Sequence, residues 1–169
     1  VDRFMMKVLV GYPSEEEEFV IVNRVTGPPP SITPVITTEQ LAHLQRECRA
    51  IYVDPALVQY AVRLVAATRY PDRYGIANVG QYLTYGASPR ATIHLVEGAR
   101  ALAILRGRGY VLPEDLTDIA PDVLRHRLSL SYEALAEGLA PDQIVHRIMK
   151  HIPAPERPLD AHGKVDECA

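Results

Sequence analysis

Residues 88–109, SPRATIHLVEGARALAILRGRG, decide the fold class of this sequence. Ser88 and Pro89 are typical of a helix N-terminus, and the glycines at 107 and 109 are typical of a helix end. Between them, apolar side chains recur with the period of one α-helical face; they are Ala91, Leu95, Val96, Ala99, Leu102 and Ala103. The stretch therefore predicts a helix that ends near Arg106 and packs one face in a core.

Most of the chain after residue 37 shows the same helical period. Capping or proline signals predict further helix starts at Thr37, Asp54, Pro113 and Pro141. Residues 70–86 contain three glycines and are predicted to form a long loop, and residues 127–132, RLSLSY, alternate in the manner of a short strand. Residues 38–152 therefore predict a helical bundle.

The beginning of the chain has a different pattern. Residues 4–12, FMMKVLVGY, form an apolar run that predicts a buried strand, and Ser14 with Glu17 is a capping-box pair that predicts a helix over about residues 14–24. Residues 25–36, VTGPPPSITPVI, hold four prolines and predict a linker. Because a lone strand is not stable by itself, residues 1–24 are expected to be the edge of a larger sheet domain, and the chain to be part of a longer protein.

Composition excludes several classes of protein. Of the 169 residues, 47% are hydrophobic and 23% are charged, which is typical of a soluble globular chain and not of a disordered one. No apolar run approaches the roughly 18 residues of a membrane span. Cys48 and Cys168 form no CxxC pair, so a reducing cytoplasm is the expected compartment. The net charge of −3 argues against binding to nucleic acid.

Arg90 is the sharpest anomaly in the sequence. It lies in the first turn of the helix that begins at Ser88-Pro89, where the exposed backbone amides already carry positive charge. A guanidinium beside free helix amides can bind an anion, and phosphate is the usual one. The alternatives are that Arg90 is solvated, or paired with an acid of the C-terminal tail.

Arg3 is a second candidate, with a weaker signal. It lies in Asp2-Arg3-Phe4, just before the predicted strand, where an arginine can reach across a subunit interface to a transferring phosphoryl group. The alternative is a surface ion pair with Asp2.

The remaining motifs indicate no specific chemistry. The six histidines show no metal-binding spacing, so no metal site is predicted. The three basic residues at 125–127 are too few for a nucleic-acid footprint and are expected to have a structural role. The sequence contains no GxxxxGKS/T phosphate loop, no GxSxG elbow and no GxGxxG loop.

Several segments strongly resemble the lid region of MoxR-type AAA+ ATPases. They are residues 85–91 (YGASPRA), 99–101 (ARA) and 107–115 (GRGYVLPED). Asp2-Arg3-Phe4, followed by residues 10–13 (VGYP), is similar to the end of the AAA+ core in the same family. The similarity covers nearly all of residues 1–155.

The resemblance implies a role for each candidate arginine. Arg90 matches the sensor-2 arginine, which contacts the γ-phosphate of ATP bound in the same subunit, and Ala87, Ser88 and Pro89 are expected beside the nucleotide. Arg3 matches the arginine finger, which reaches the ATP of the neighbouring subunit. Two guanidinium groups that converge on a γ-phosphate suit phosphoryl transfer, because its catalysis depends on charge stabilisation.

The resemblance also implies a mainly α fold, in which a helical AAA+ lid bundle is preceded by one strand and one helix left from an α/β AAA+ core. The expected domains are the C-terminal edge of the core at 1–24, a Pro-rich linker at 25–37, the lid at 38–152 and a loose tail at 153–169. The Walker A and Walker B motifs should lie upstream of Val1, so this chain alone is expected to be inactive.

The function that the resemblance implies is that of the C-terminal region of an ATPase. Such a protein uses ATP with Mg²⁺ and couples its binding and hydrolysis to chaperone-like remodelling or maturation of partner proteins, metal insertion included. The intact protein is expected to be a cytoplasmic homo-oligomer, as a hexamer, and clients with a von Willebrand factor A-type domain are one candidate class. The alternative is a non-enzymatic helical module that binds other proteins.

Overall fold

A computed structural model describes residues 2–156, so most of the predicted tail, with Cys168, lies outside the described residues. The fold is mainly α, as the sequence predicts. The helices in this range are α1 (Glu15–Thr26), α2 (Thr38–Ala50), α3 (Pro55–Arg69), α4 (Pro89–Leu105), α5 (Pro113–Leu124), α6 (Tyr132–Ala136) and α7 (Pro141–His151). None of these helices is both long and apolar enough to cross a membrane.

Local signals set the N-termini of the first three helices. Ser14 Oγ accepts a hydrogen bond from the Glu17 N–H at 3.3 Å, and Glu17 Oε2 accepts one from the Ser14 N–H at 2.8 Å. Thr37 and Gln40 form the same reciprocal pair, at 3.2 and 2.8 Å. The Asp54 carboxylate caps α3 with a 2.7 Å bond from a first-turn amide. Because these bonds satisfy amides that a helix leaves unpaired, the helices begin where the sequence predicts.

The described residues form two compact units. One comprises residues 8–46, and the other comprises residues 2–7 together with residues 47–156. The boundary between the two falls within α2, and residues 2–7 group with the later helices rather than with α1. The division into core edge, linker, lid and tail stays a prediction.

The strand predicted over residues 4–12 is absent. Residues 6–14 form no regular secondary structure, and the side chains of Val8, Leu9 and Val10 are exposed. A strand satisfies its backbone groups by pairing with a neighbouring strand, and the described part of the chain offers this segment no such neighbour. Helix α1 forms as predicted because its hydrogen bonds are local.

The larger unit is a helical bundle in which α4 packs on α3 and α5, and α7 packs on α3 and α5. Each fully buried aliphatic side chain of its core contributes about 1.5–3 kcal/mol by leaving water; the largest are Leu57, Leu64, Leu95, Leu116, Leu124, Ile144, Ile148 and Ile152. The apolar face predicted for α4 is confirmed, because Ala91, Leu95, Ala99 and Ala103 are all buried.

A small sheet leads into α4. Strand β1 (Leu83–Tyr85) pairs antiparallel with β2 (Ser129–Leu130), which lies inside the strand predicted at 127–132. The segment 70–86 is more ordered than the predicted loop, because it contains two short 3₁₀ helices, Pro71–Tyr74 and Gly80–Tyr82, in addition to β1. Helix α6 was not predicted from the sequence, because its five residues are too few to show a helical period.

A buried carboxylate joins the end of α4 to the start of α5. The Asp115 side chain is fully buried and accepts two hydrogen bonds from Arg108, at 2.7 and 2.8 Å. It accepts two more at 2.8 Å, one from Arg106 Nη1 and one from the Leu112 N–H. Burial tends to raise the pKa of Asp115, but the bonds from Arg108, the Leu112 N–H and Arg106, together with the Arg108 charge, hold the pKa below its usual 3.8.

Candidate functional site

The segment that leads into α4 is fixed against the end of α3. The Ala87 N–H donates to Thr68 Oγ1 at 2.9 Å, and Arg69 Nη1 donates to the Ala87 carbonyl at 2.9 Å. Gly86 lies so close to α3 that a Cβ atom added there would be 2.3 Å from the Thr68 carbonyl oxygen. These contacts determine where α4 begins, and therefore where Arg90 lies.

Gly86→Ala is expected to lower the free energy of unfolding of the chain by about 2–3 kcal/mol, because the added Cβ meets backbone atoms that cannot rotate away. Equilibrium urea unfolding measures the loss. Gly109→Ala is the matched control, since nothing lies within 4 Å of a Cβ added at Gly109. Its effect should stay below about 0.5 kcal/mol. Equal losses in the two variants would contradict the close approach at Gly86.

Arg90 is paired with a carboxylate at the start of α4. Arg90 Nη1 donates to Asp2 Oδ2 at 2.8 Å, and Ser88 Oγ donates to the same oxygen at 3.0 Å. Ser88 Oγ also accepts from the Arg90 N–H at 3.3 Å, and the Arg90 side chain remains 48% exposed. Among the described residues, the carboxylate paired with Arg90 at this turn is that of Asp2.

Arg127 binds the other side of the Asp2 carboxylate. Its side chain is fully buried, and its Nε donates to Asp2 Oδ1 at 3.1 Å. The same guanidinium donates to the carbonyls of Phe4 and Met5 and, at 2.6 Å, to Nδ1 of His94. Because arginine can only donate, this ring nitrogen of His94 accepts. Burial, followed by the Arg127 charge, lowers the pKa of His94, which favours the neutral ring.

The rest of the basic cluster holds residues 2–7, which we call the N-terminal segment, by its backbone. Arg125 Nη1 donates to the Lys7 carbonyl at 2.5 Å, and His126 Nε2 lies 3.2 Å from the Phe4 carbonyl. The Lys7 N–H donates to the Asp122 carbonyl at 2.9 Å. The cluster at 125–127 is therefore structural, because it attaches the N-terminal segment to the helical bundle.

Arg3 is exposed on the N-terminal segment. Its neighbours Asp2 and Phe4 are held through their backbone carbonyls by Arg127. The Arg3 side chain itself makes no hydrogen bond or ion pair with any residue between 2 and 156. The predicted alternative, an ion pair with Asp2, does not form because Asp2 is paired with Arg90 and Arg127.

The other predicted site residues have separate positions around the α4 N-terminus. Ser88 is the N-cap, and Pro89 is the exposed first residue of the helix. The Ala87 side chain is fully buried, and both of its backbone polar groups are already hydrogen-bonded to α3. Ala87 therefore positions the turn rather than presenting a free group to a ligand. Among residues 2–156, no three His, Cys, Asp or Glu side chains group where they could hold a metal ion.

Comparison with known proteins identifies the class of protein to which the helical bundle belongs. Residues 76–148 match the family model of the AAA lid domain. The chain is 43% identical over 155 residues to the chaperone MoxR1 of Mycobacterium tuberculosis, a match that covers 92% of this chain and 41% of that protein. It is 36% identical over 112 residues to the protein MoxR of Methylorubrum extorquens, which covers 63% of this chain and 32% of that protein.

A solved structure agrees with these matches. The crystal structure of a "putative ATPase" from Cytophaga hutchinsonii superposes with a TM-score of 0.85 at 36% sequence identity, and the match covers 92% of this chain and 48% of that one. The fold is thus that of an AAA+ lid. The chain belongs to the MoxR-type family of AAA+ proteins, as its sequence motifs predicted. It spans less than half the length of these relatives.

Proposed function

We propose that the chain is the C-terminal region of an ATPase that couples ATP binding and hydrolysis to the remodelling or maturation of partner proteins. One observation supports this best: in an AAA+ lid domain, Arg90 and Ser88 both donate hydrogen bonds to a carboxylate, that of Asp2, at the first turn of α4. Phosphate presents the same kind of negatively charged oxygen atoms to such donors. In this proposal Arg90 is the sensor-2 arginine and contacts the γ-phosphate of ATP in its own subunit.

The Arg90 guanidinium suits this role because it is exposed and only partly used. Within residues 2–156, Nη1 is its one nitrogen with a hydrogen bond, which goes to Asp2. In phosphoryl transfer, catalysis depends on positioning and on stabilising charge at the γ-phosphate, both of which a guanidinium supplies. ATP with Mg²⁺ supplies the transferable phosphoryl group. We place the Mg²⁺ ligands and the phosphate loop upstream of Val1.

Arg3 is proposed as the arginine finger. Its side chain is exposed and without a partner in the described residues, while the backbone on both sides is held by Arg127. A cation presented in this way from a fixed backbone can enter the nucleotide site of another subunit. Because a finger serves a neighbouring ATP, the intact protein is proposed to be a homo-oligomeric ring, specifically a hexamer.

The cellular role is proposed from the relatives. The Mycobacterium tuberculosis relative is named a chaperone. We accordingly propose chaperone-like action on client proteins in the cytoplasm. Metal insertion, and clients with a von Willebrand factor A-type domain, are narrower forms of the same proposal.

The 169-residue chain by itself is expected to show no ATP hydrolysis above background. It contains no GxxxxGKS/T loop, and its described residues contain no acidic cluster that could hold a metal ion. A phosphate-release assay on the purified chain checks this. Hydrolysis that stays with the chain through further purification steps would show that the phosphate loop and the Mg²⁺ ligands were wrongly placed upstream of Val1.

The full-length protein, by which we mean this chain with its upstream residues, is expected to hydrolyse ATP. Its upstream sequence should contain a GxxxxGKS/T loop, and replacing the lysine of that loop should abolish hydrolysis. An upstream sequence without such a loop would support the non-enzymatic interaction module instead.

A further inference from the structure

The Asp2 carboxylate pairs with Arg90 at the first turn of α4, where the proposed function places the γ-phosphate. Its Oδ2 atom accepts from both Arg90 Nη1 and Ser88 Oγ, at 2.8 and 3.0 Å. We propose that Asp2 is the resident counter-ion of Arg90, and that the γ-phosphate of ATP competes with it for the Arg90 guanidinium. This inference rests on the proposed function, because it takes Arg90 as the γ-phosphate contact.

The two arginines that bind Asp2 differ in how firmly other residues hold them. The Arg127 side chain is fully buried, and three backbone carbonyls besides that of Asp2 accept from it; they belong to Phe4, Met5 and Val123. The Arg90 side chain is 48% exposed, and Asp2 is its only side-chain partner within residues 2–156. Arg127 therefore stays in place as a fixed anchor, and Arg90 is the partner that can exchange.

The exchange leaves no charge without a partner. When Arg90 turns to a phosphate, Asp2 keeps its bonds to Ser88 and Arg127. The broken pair is an exposed one, with Asp2 39% and Arg90 48% accessible, and pairs of that kind hold together weakly. A phosphate carries more charge than a carboxylate, so it competes successfully for the guanidinium.

Asp2 therefore acts as a positioning residue that weakens the binding of ATP but not that of ADP. A carboxylate beside Arg90 neutralises part of the charge that attracts the γ-phosphate. ADP lacks the γ-phosphate, so its binding should not depend on Asp2. Removing the Asp2 charge is expected to tighten ATP binding by up to about fivefold, which is the upper end of the range for one exposed ion pair.

The test compares Asp2→Asn with the parent in the full-length protein. Dissociation constants are measured for a non-hydrolysable imido analogue of ATP and for ADP, both with Mg²⁺. Asp118→Asn is the matched control, because Asp118 is also an exposed acid, paired with Arg106 at 2.6 Å. We expect Asp2→Asn to tighten binding of the ATP analogue alone, and Asp118→Asn to change neither constant. Thermal unfolding of each variant confirms that the fold is kept.

An Arg90→Ala variant separates this inference from the proposed function. Suppose that Arg90→Ala weakens binding of the ATP analogue, but Asp2→Asn leaves that binding unchanged or makes it weaker. The counter-ion role is then wrong and the proposed function stands. If Arg90→Ala leaves the ATP analogue unaffected, the sensor-2 assignment fails, and the counter-ion role fails with it. In the double variant, Asp2→Asn should add nothing to Arg90→Ala. If Asp2 had only a structural role, Asp2→Asn would change the dissociation constants of the ATP analogue and of ADP equally, whether Arg90 is present or replaced.

Discussion

In the full-length protein, Arg90→Ala should reduce the rate of ATP hydrolysis by about 10³-fold or more, because it removes a cation that stabilises charge at the transferring phosphoryl group. Arg3→Ala should reduce the rate of the homo-oligomer by a similar factor. The two residues nevertheless act on different sites in our proposal. Arg90 serves the nucleotide of its own subunit, and Arg3 serves that of its neighbour. Steady-state hydrolysis assays at saturating ATP measure both losses.

Mixed oligomers distinguish these two roles. The partner is a subunit whose phosphate-loop lysine is replaced, so that its own site is dead but its Arg3 is intact. Mixed with Arg3→Ala subunits, this partner should restore part of the activity, because it supplies the finger to an intact site. Mixed with Arg90→Ala subunits, it should restore none, because no subunit then has a complete site. If both mixtures recovered equally, or if neither did, the cis and trans assignments would be wrong.

Asp115→Ala is expected to destabilise the helical bundle by about 3 kcal/mol, since removing one member of a buried ion pair leaves its partners without compensation. We take the lower end of the usual range because Arg108 and Arg106 are 20% and 40% exposed, and water can reach them. Asp118→Ala is the matched control, because Asp118 pairs with the same Arg106 but is 51% exposed. Its effect should not exceed about 1 kcal/mol. Urea unfolding at pH 7 compares the two.

The same variant should alter the response to acid. The bonds from Arg108 and Leu112 hold the pKa of Asp115 below 3.8 in the folded chain. A group of this kind stabilises the fold above its unfolded pKa, and the contribution disappears as the pH falls through the lower, folded pKa. Unfolding measured below pH 3.8 should therefore show a shallower loss of stability in Asp115→Ala than in the parent. If the parent and Asp115→Ala lost stability equally steeply below pH 3.8, the charge of Asp115 would not contribute to the stability of the fold.

Helix boundaries could be predicted here because their causes are local. The signals at Thr37, Asp54 and Ser88 lie within four residues of the amides they cap, so the sequence displays them directly. The strand predicted over residues 4–12 was wrong for the opposite reason. An apolar run shows that a segment tends to be buried, but its conformation depends on a pairing partner that the run does not specify.

The candidate site was predictable only in part. Arg90 could be recognised because a cation in a first helical turn is unusual, and that anomaly is visible within three residues. Its partner could not be recognised, because Asp2 lies 88 positions away from Arg90 and 125 positions away from Arg127. No spacing rule connects residues at such separations. The neighbouring Asp2 and Arg3 instead suggested a local pair, and the fold gives Asp2 stronger partners elsewhere.

The attachment of the N-terminal segment has a consequence for biosynthesis. A chain leaves the ribosome from its N-terminus, so Asp2 and Lys7 emerge long before the side chains that bind them, which lie 125 and 118 positions later. The contacts between α4 and α5 are closer in sequence and can form earlier. Until Arg125 and Arg127 have been synthesised, a nascent chain therefore presents Arg90 without the arrangement that places a carboxylate beside it.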